Sequence, residues 1–174
     1  MQFEKAYVAA TEEYSDYDRD VPAPLLRGTF LLKKLPKRAE IVITALGFYD
    51  LYINGRRITK GILAPYICNP DQVIVYDRYD LLPYLREGKN VVGLILGNGF
   101  TNNYGGMPWD IDKASFRAAP KTAFCVEADG KEVLSTKQPL KWAPSPILND
   151  DYREGEKYDA RKEIEGWNSP DFDD

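Results

Sequence analysis

Three short acidic pairs are the first residues whose types and spacing could do chemistry: Asp110 with Asp112, Asp150 with Asp151, and Glu154 with Glu156. Hydrolysis of a glycosidic bond needs two carboxyl groups roughly 5–10 Å apart, one to protonate the leaving oxygen and one to attack or to activate water. Residues i and i+2 of a strand point to one face, which makes that separation feasible for Asp110 with Asp112 and for Glu154 with Glu156. The competing reading is that acidic pairs in loops are solvated surface.

The stretch from Gly97 to Trp109, GNGFTNNYGGMPW, offers a second chemistry. Asn98, Phe100, Asn102, Asn103, Tyr104 and Trp109 are carbohydrate-binding candidates, because an aromatic face beside amide donors and acceptors suits a pyranose ring. The competing reading is that these aromatics cap the fold or face a neighbouring domain. Asn103, Asp110 and Asp112 are weak calcium candidates. A hard cation takes about six to eight oxygen ligands, and no EF-hand spacing is present. Calcium is the one cofactor that the residues bring into question. The glycines are not a phosphate cradle, because GxxxxGK[ST] and a following helix are both missing.

Several function classes are excluded or disfavoured. The chain has no histidine among its 174 residues, so Ser-His-Asp and Cys-His nucleophilic centres cannot be built from it alone, nor can a His-rich zinc site. A net charge of −4 with both signs interspersed gives no basic face for nucleic acid. No apolar N-terminal run is present, so neither a signal peptide nor a membrane span is expected, and the expected location is cytoplasmic. Cys68 and Cys125 are too far apart in sequence for a CxxC metal site. Buried free thiols are expected, with a disulfide as the alternative.

The elements that must position these groups read as strands. LRGTFLL (residues 26–32), TAFCVEA (122–128) and QVIVYDRY (72–79) are predicted strands, with a short edge strand at Phe3 and Tyr7–Ala9. NVVGLIL (90–96) is nearly all apolar and should be a strand buried on both faces. IVITALGFYDLYINGRRI (41–58) predicts a hairpin with a kink at Gly47 and a turn at Asn54-Gly55; Asp129-Gly130 predicts another. Residues 80–85 predict a single helical turn, and no long helix is expected. About nine or ten short strands separated by turns predict an all-β fold, an antiparallel β-sandwich of jelly-roll type. One sandwich domain over residues 1–174 is expected, with an N-terminal extension over 1–22 and an acidic exit segment over 147–174.

ALGFYDLYINGRRI, then LAPY, then YDRYDLLPYLREGKNVVGLILGNGF, resembles the N-terminal sandwich domain of bacterial α-L-rhamnosidases of glycoside hydrolase family 78. The tail is similar too: Gly155-Glu156, Tyr158-Asp159-Ala160-Arg161, Gly166-Trp167 and Asp173-Asp174. The Asn-Gly and Gly-x-Asn pieces alone also recur in the matching sandwiches of β-galactosidases and β-glucuronidases. The resemblance implies a galactose-binding-domain-like jelly roll with the catalytic acids elsewhere, in an (α/α) barrel, for inverting cleavage of terminal α-L-rhamnosides. It implies a non-catalytic accessory domain whose partners are other domains of the same polypeptide, packing on them and helping substrate recognition. The alternatives are a calcium-dependent module that binds L-rhamnose or rhamnosides, and the equivalent domain of a β-galactosidase-like enzyme. Three departures from the family weaken the binding module. Lys60 stands where an acid is common, and Pro65-Tyr66-Ile67 and Gly99-Phe100-Thr101 replace segments that carry tryptophan.

Overall fold

The computed structural model describes residues 7–68, 72–103, 113 and 115–173. Its strands in chain order are β1 (Pro24–Leu32), β2 (Ala39–Leu46), β3 (Phe48–Ile53), β4 (Arg56–Arg57), β5 (Asp77–Asp80), β6 (Gly88–Gly97), β7 (Lys121–Ala128), β8 (Lys131–Ser135), β9 (Lys141–Pro144), β10 (Ile147–Asp151) and β11 (Gly155–Tyr158). Every pairing between these strands is antiparallel. One sheet runs β4-β3-β6-β1-β9, a second runs β5-β2-β7-β8, and β10 with β11 forms a separate ribbon. The fold is therefore the all-β antiparallel sandwich expected from the alternating sequence.

The core lies between the two sheets. β3 alternates cleanly, with Tyr49, Leu51 and Ile53 inward and Phe48, Asp50 and Tyr52 half-buried. Those inward residues meet Leu94 and Leu96 of β6, Ile41 and Ile43 of β2, and Phe124 and Val126 of β7 in one apolar cluster. Each such side chain contributes roughly 1.5–3 kcal/mol on full burial. A polar tie crosses the layers where the Tyr49 hydroxyl donates to Asp77 Oδ2 at 2.5 Å and lies 2.9 Å from the Tyr79 hydroxyl.

β6 is buried on both faces, as its apolar run requires. The second face is covered by the segment that follows β11. A Cβ added at Gly93 would meet Asn168 Cβ at 2.8 Å and the Trp167 ring at 3.0 Å. Arg27, itself buried, holds that segment down through Nε to the Trp167 carbonyl at 2.8 Å and Nη2 to the Ser169 carbonyl at 3.0 Å. Its guanidinium also lies over the Phe172 ring.

Some expectations are corrected. The stretch over residues 41–58 is not one hairpin, because β2 and β3 belong to opposite sheets. Gly47, with φ of +105°, is the corner where the chain changes layer; that conformation is readily open only to glycine. The hairpin is β3–β4 alone, turning at Asn54 and Gly55 with φ of 50° and 84°. The strand predicted over 72–79 shrinks to β5, since β2 pairs it only up to Ile43 opposite Asp77. At the next position the Thr44 hydroxyl donates to the Val75 carbonyl at 2.6 Å, in place of a ladder bond. Val8 makes a single bridge to Thr122 where an edge strand was expected, and Phe3 lies outside the described residues. The acidic tail, read only as an exit segment, contains the β10–β11 ribbon. Both cysteines are free, Cys125 buried and Cys68 half-buried.

Candidate functional site

Three glycines bring the ends of two strands together. A Cβ at Gly47 would stand 2.3 Å from the Gly97 carbonyl oxygen, and one at Gly99 would stand 3.2 Å from Gly47 Cα and 3.3 Å from the Phe48 ring. This close approach sets Phe48, leaving the β2–β3 corner, beside the stretch that follows β6. The result is a groove of about 390 Å³ at that end of the sandwich. Its walls come from 44–48, 65–68, 74–75, 100–101 and 116, with Phe48, Tyr66, Ile67, Phe100 and Phe116 as the large apolar members. Phe100 also leans on Tyr152, with ring centroids 4.8 Å apart and planes at 42°.

A second pocket of about 380 Å³ shares Phe48 and continues over Ile62, Leu63 and Tyr152 to the acids Asp50, Asp150, Asp151 and Glu156. Burial pushes the Asp150 carboxyl up to about 7; the Asn98 N–H that donates to it pulls the other way, and the negative charges of Glu156 and Asp151 add to the rise. Asp50 instead holds Arg57, whose Nη2 donates to Oδ1 at 2.6 Å.

The predicted site residues fall into three groups. Asn98 and Asn102 are buried and bonded within the protein. The Asn98 N–H donates to Asp150 Oδ2 at 2.7 Å, and its Nδ2 donates to the Asp150 carbonyl at 2.8 Å and to Oδ1 at 3.0 Å. Asn102 Nδ2 donates to Asn98 Oδ1 at 3.2 Å and to the Ser15 carbonyl at 3.1 Å. Its Oδ1 accepts from Arg117 Nε at 3.2 Å and Nη2 at 3.0 Å. These amides form a chain from the β10–β11 ribbon to the N-terminal extension. Phe100 does line a groove. Asn103 is also buried, and its side-chain amide finds no hydrogen-bond partner among the described residues. Tyr104, Trp109, Asp110 and Asp112 lie outside the described residues.

The remaining acidic pairs have structural settings. Asp151 Oδ1 accepts from the N–H groups of Arg153 and Glu154 at 2.8 and 2.9 Å, which shapes the turn between β10 and β11. Glu154 and Glu156 are exposed. Asp150 and Asp151, as consecutive residues of one strand, point to opposite faces. Among the described residues no group of three or more acidic, cysteine or histidine side chains converges on a point.

Reading the chain for chemistry missed Phe48, Tyr66, Ile67, Ile74 and Phe116. For Tyr66 and Ile67 the signal was an apolar residue in a segment without strand alternation, Pro65-Tyr66-Ile67; Phe48 and Ile74 sit in segments that alternate, and gave none.

The fold has relatives. The family model described as α-L-rhamnosidase N-terminal domain matches residues 34–174. An α-L-rhamnosidase of Streptomyces avermitilis is 36% identical over 97% of this chain, which spans 17% of that protein's length. The crystal structure of Streptomyces avermitilis α-L-rhamnosidase complexed with L-rhamnose superposes with a TM-score of 0.77 at 33% identity, covering 89% of this chain and 15% of that one. The α-L-rhamnosidase structure from Dictyoglumus thermophilum gives 0.74 at 32% identity, covering 99% of this chain and 19% of that one. The matches thus take in nearly all of this chain and less than a fifth of each relative.

Proposed function

This chain belongs to the family of α-L-rhamnosidase N-terminal domains, and from that premise we propose that it is the accessory β-sandwich of an α-L-rhamnosidase. In this reading it acts as a scaffold that packs on other domains of the same polypeptide, and the carboxyl groups that cleave terminal α-L-rhamnosides stand on those other domains. One observation carries the reading: the chain matches almost end to end, yet it spans only 15% and 19% of the two solved relatives.

The chemistry agrees. Inverting hydrolysis needs a general acid and a general base roughly 6.5–9.5 Å apart across a bound sugar. Three of the four described acids on the second pocket are otherwise engaged: Asp151 shapes a turn, Asp50 holds Arg57, and Asp150 receives three hydrogen bonds at its carboxylate and carbonyl from Asn98.

The test is release of p-nitrophenol from p-nitrophenyl α-L-rhamnoside. The purified chain is expected to release none above the uncatalysed background, while the longer polypeptide that carries it turns the substrate over. Turnover by the purified chain that disappears in Asp150→Asn would overturn the accessory reading and place a catalytic carboxyl here.

A further inference from the structure

We propose that the apolar end of the sandwich, around Phe48, is the face by which this domain docks on an adjoining domain of its own polypeptide. The inference rests on the accessory reading above and adds the surface to it.

The two ends of β2 stand about 23 Å apart at the usual strand rise. Beside Ala39 the surface is charged: Lys37, Arg38, Glu40, Arg78, Asp80 and Asp129 gather there. Beside Leu46 lies the groove of about 390 Å³, whose described wall residues include no charged side chain. One end of the same strand is therefore built to stay in water and the other is not.

The apolar end is also unusually open. Tyr66 is 80% exposed and Phe116 49%, both on the groove, and Ile62 is 87% exposed on the adjoining pocket. None of these residues sits in a strand. They occupy connections, where a sandwich facing water on all sides carries polar turn residues. Single exposed apolar residues are ordinary, but a contiguous set marks a binding face.

The occupant must be apolar and uncharged over its central contact, because the described wall residues offer no ion-pair partner. That chemistry argues against a nucleic acid or an acidic peptide. Its source follows from the relatives, in which this sandwich is less than a fifth of one chain. A domain tethered on the same polypeptide reaches the face at high effective concentration, so even a modest apolar contact is held closed. Another apolar hollow, about 260 Å³ near Trp142, is lined by Ile164, Trp167 and Phe172 together with Arg27 and Lys141. It fits an uncharged partner less well.

Hydrogen exchange of the purified chain and of the longer polypeptide tests the assignment. Amides in 61–68 and 72–76 are expected to exchange roughly tenfold more slowly in the longer polypeptide, with 37–40 and 127–131 unchanged. The variant Tyr66→Ser is expected to leave the melting temperature of the purified chain unchanged, since that side chain is 80% exposed. In the longer polypeptide it should speed limited proteolysis between the domains roughly tenfold. Equal exchange rates in both proteins, or protection confined to the Trp142 edge, would overturn the proposal and leave the accessory reading intact. A Tyr66-dependent dimer of the purified chain, with no added protection in the longer polypeptide, would overturn it in favour of a second copy. Turnover of p-nitrophenyl α-L-rhamnoside by the purified chain alone would instead strike the accessory reading itself.

Discussion

Asp150→Asn should change how stability depends on pH, and the direction follows from the position of the carboxyl. Burial lifts Asp150 from its ordinary 3.8 to about 7 in the folded protein. A group whose folded value is raised contributes stability that is fully present below the unfolded value and is lost as pH rises through the folded one. The parent protein should therefore lose stability from this group between about pH 4 and pH 7. At about 1.4 kcal/mol per tenfold change in proton concentration, the upper bound is on the order of 4 kcal/mol. Asp150 is only partly buried, and solvent screening reduces the expected loss to about 2 kcal/mol. The variant carries its own constant offset. Its amide keeps one oxygen for the Asn98 N–H but turns a donor toward Asn98 Nδ2, a mismatch worth about 1–3 kcal/mol at any pH. The observable is thus the slope of the difference with pH and not its size. Other acids act in the opposite sense: Asp20, held low first by its hydrogen bond from Lys157, contributes stability that disappears as pH falls. Subtracting parent from variant removes those shared contributions. Urea unfolding of both proteins at several values between about pH 4 and pH 8 should show the variant gaining about 2 kcal/mol relative to the parent. A difference flat to within about 0.5 kcal/mol would refute the reasoning, because it would mean that the Asn98 donors keep the carboxylate ionised throughout.

Gly47→Ala should cost more than about 3 kcal/mol in chemical unfolding, from a Cβ only 2.3 Å from the Gly97 oxygen at a φ of +105°. Gly130→Ala, with φ of +77° but open space around it, should cost only about 1–2 kcal/mol and serves as its control. Arg27→Met should lower stability by about 3 kcal/mol, the usual loss for hydrogen bonds from a charged donor. Residues 159–173 should then show faster hydrogen exchange before the strands do. Asn54→Ala should cost about 2–3 kcal/mol in thermal unfolding. Its Nδ2 donates to the Tyr84 carbonyl and to Asn90 Oδ1, and its Oδ1 accepts from the Val91 N–H, each at 2.8 Å.

Local pattern made β6 and β7 legible before any coordinates: TAFCVEA alternates, and NVVGLIL is an apolar run that needs cover on both faces. The turns at Asn54-Gly55 and Asp129-Gly130 were legible for a local reason, since left-handed backbone selects those residues. Which sheet a strand joins was not. Gly47 could be seen as a kink, but a period of two is the same in either layer, so nothing local says that β2 and β3 part company there. Val73, Ile74 and Tyr76 show the opposite failure: their pattern looks like a strand, while all three are substantially exposed. Apolar alternation records that a segment has an apolar face. It does not record whether a sheet or another surface covers that face.

The same gap explains the site. A Gly- and Asn-rich stretch after β6 reads as a solvent loop offering amides to a ligand. Glycines can instead let such a stretch fold inward, and here the partners of Asn98 and Asn102 lie 52 and 15 residues away at Asp150 and Arg117. An amide is equally suited to a sugar hydroxyl and to a buried carboxylate, so residue type alone cannot choose between them. The apolar groove has the reverse character, with members drawn from five separated segments that share no motif. Only their convergence at one end of β2, opposite a charged end, distinguishes a binding face from scattered exposed residues. For a domain that is a small part of its relatives, that polarity along one strand says more about its role than any single residue with reactive chemistry.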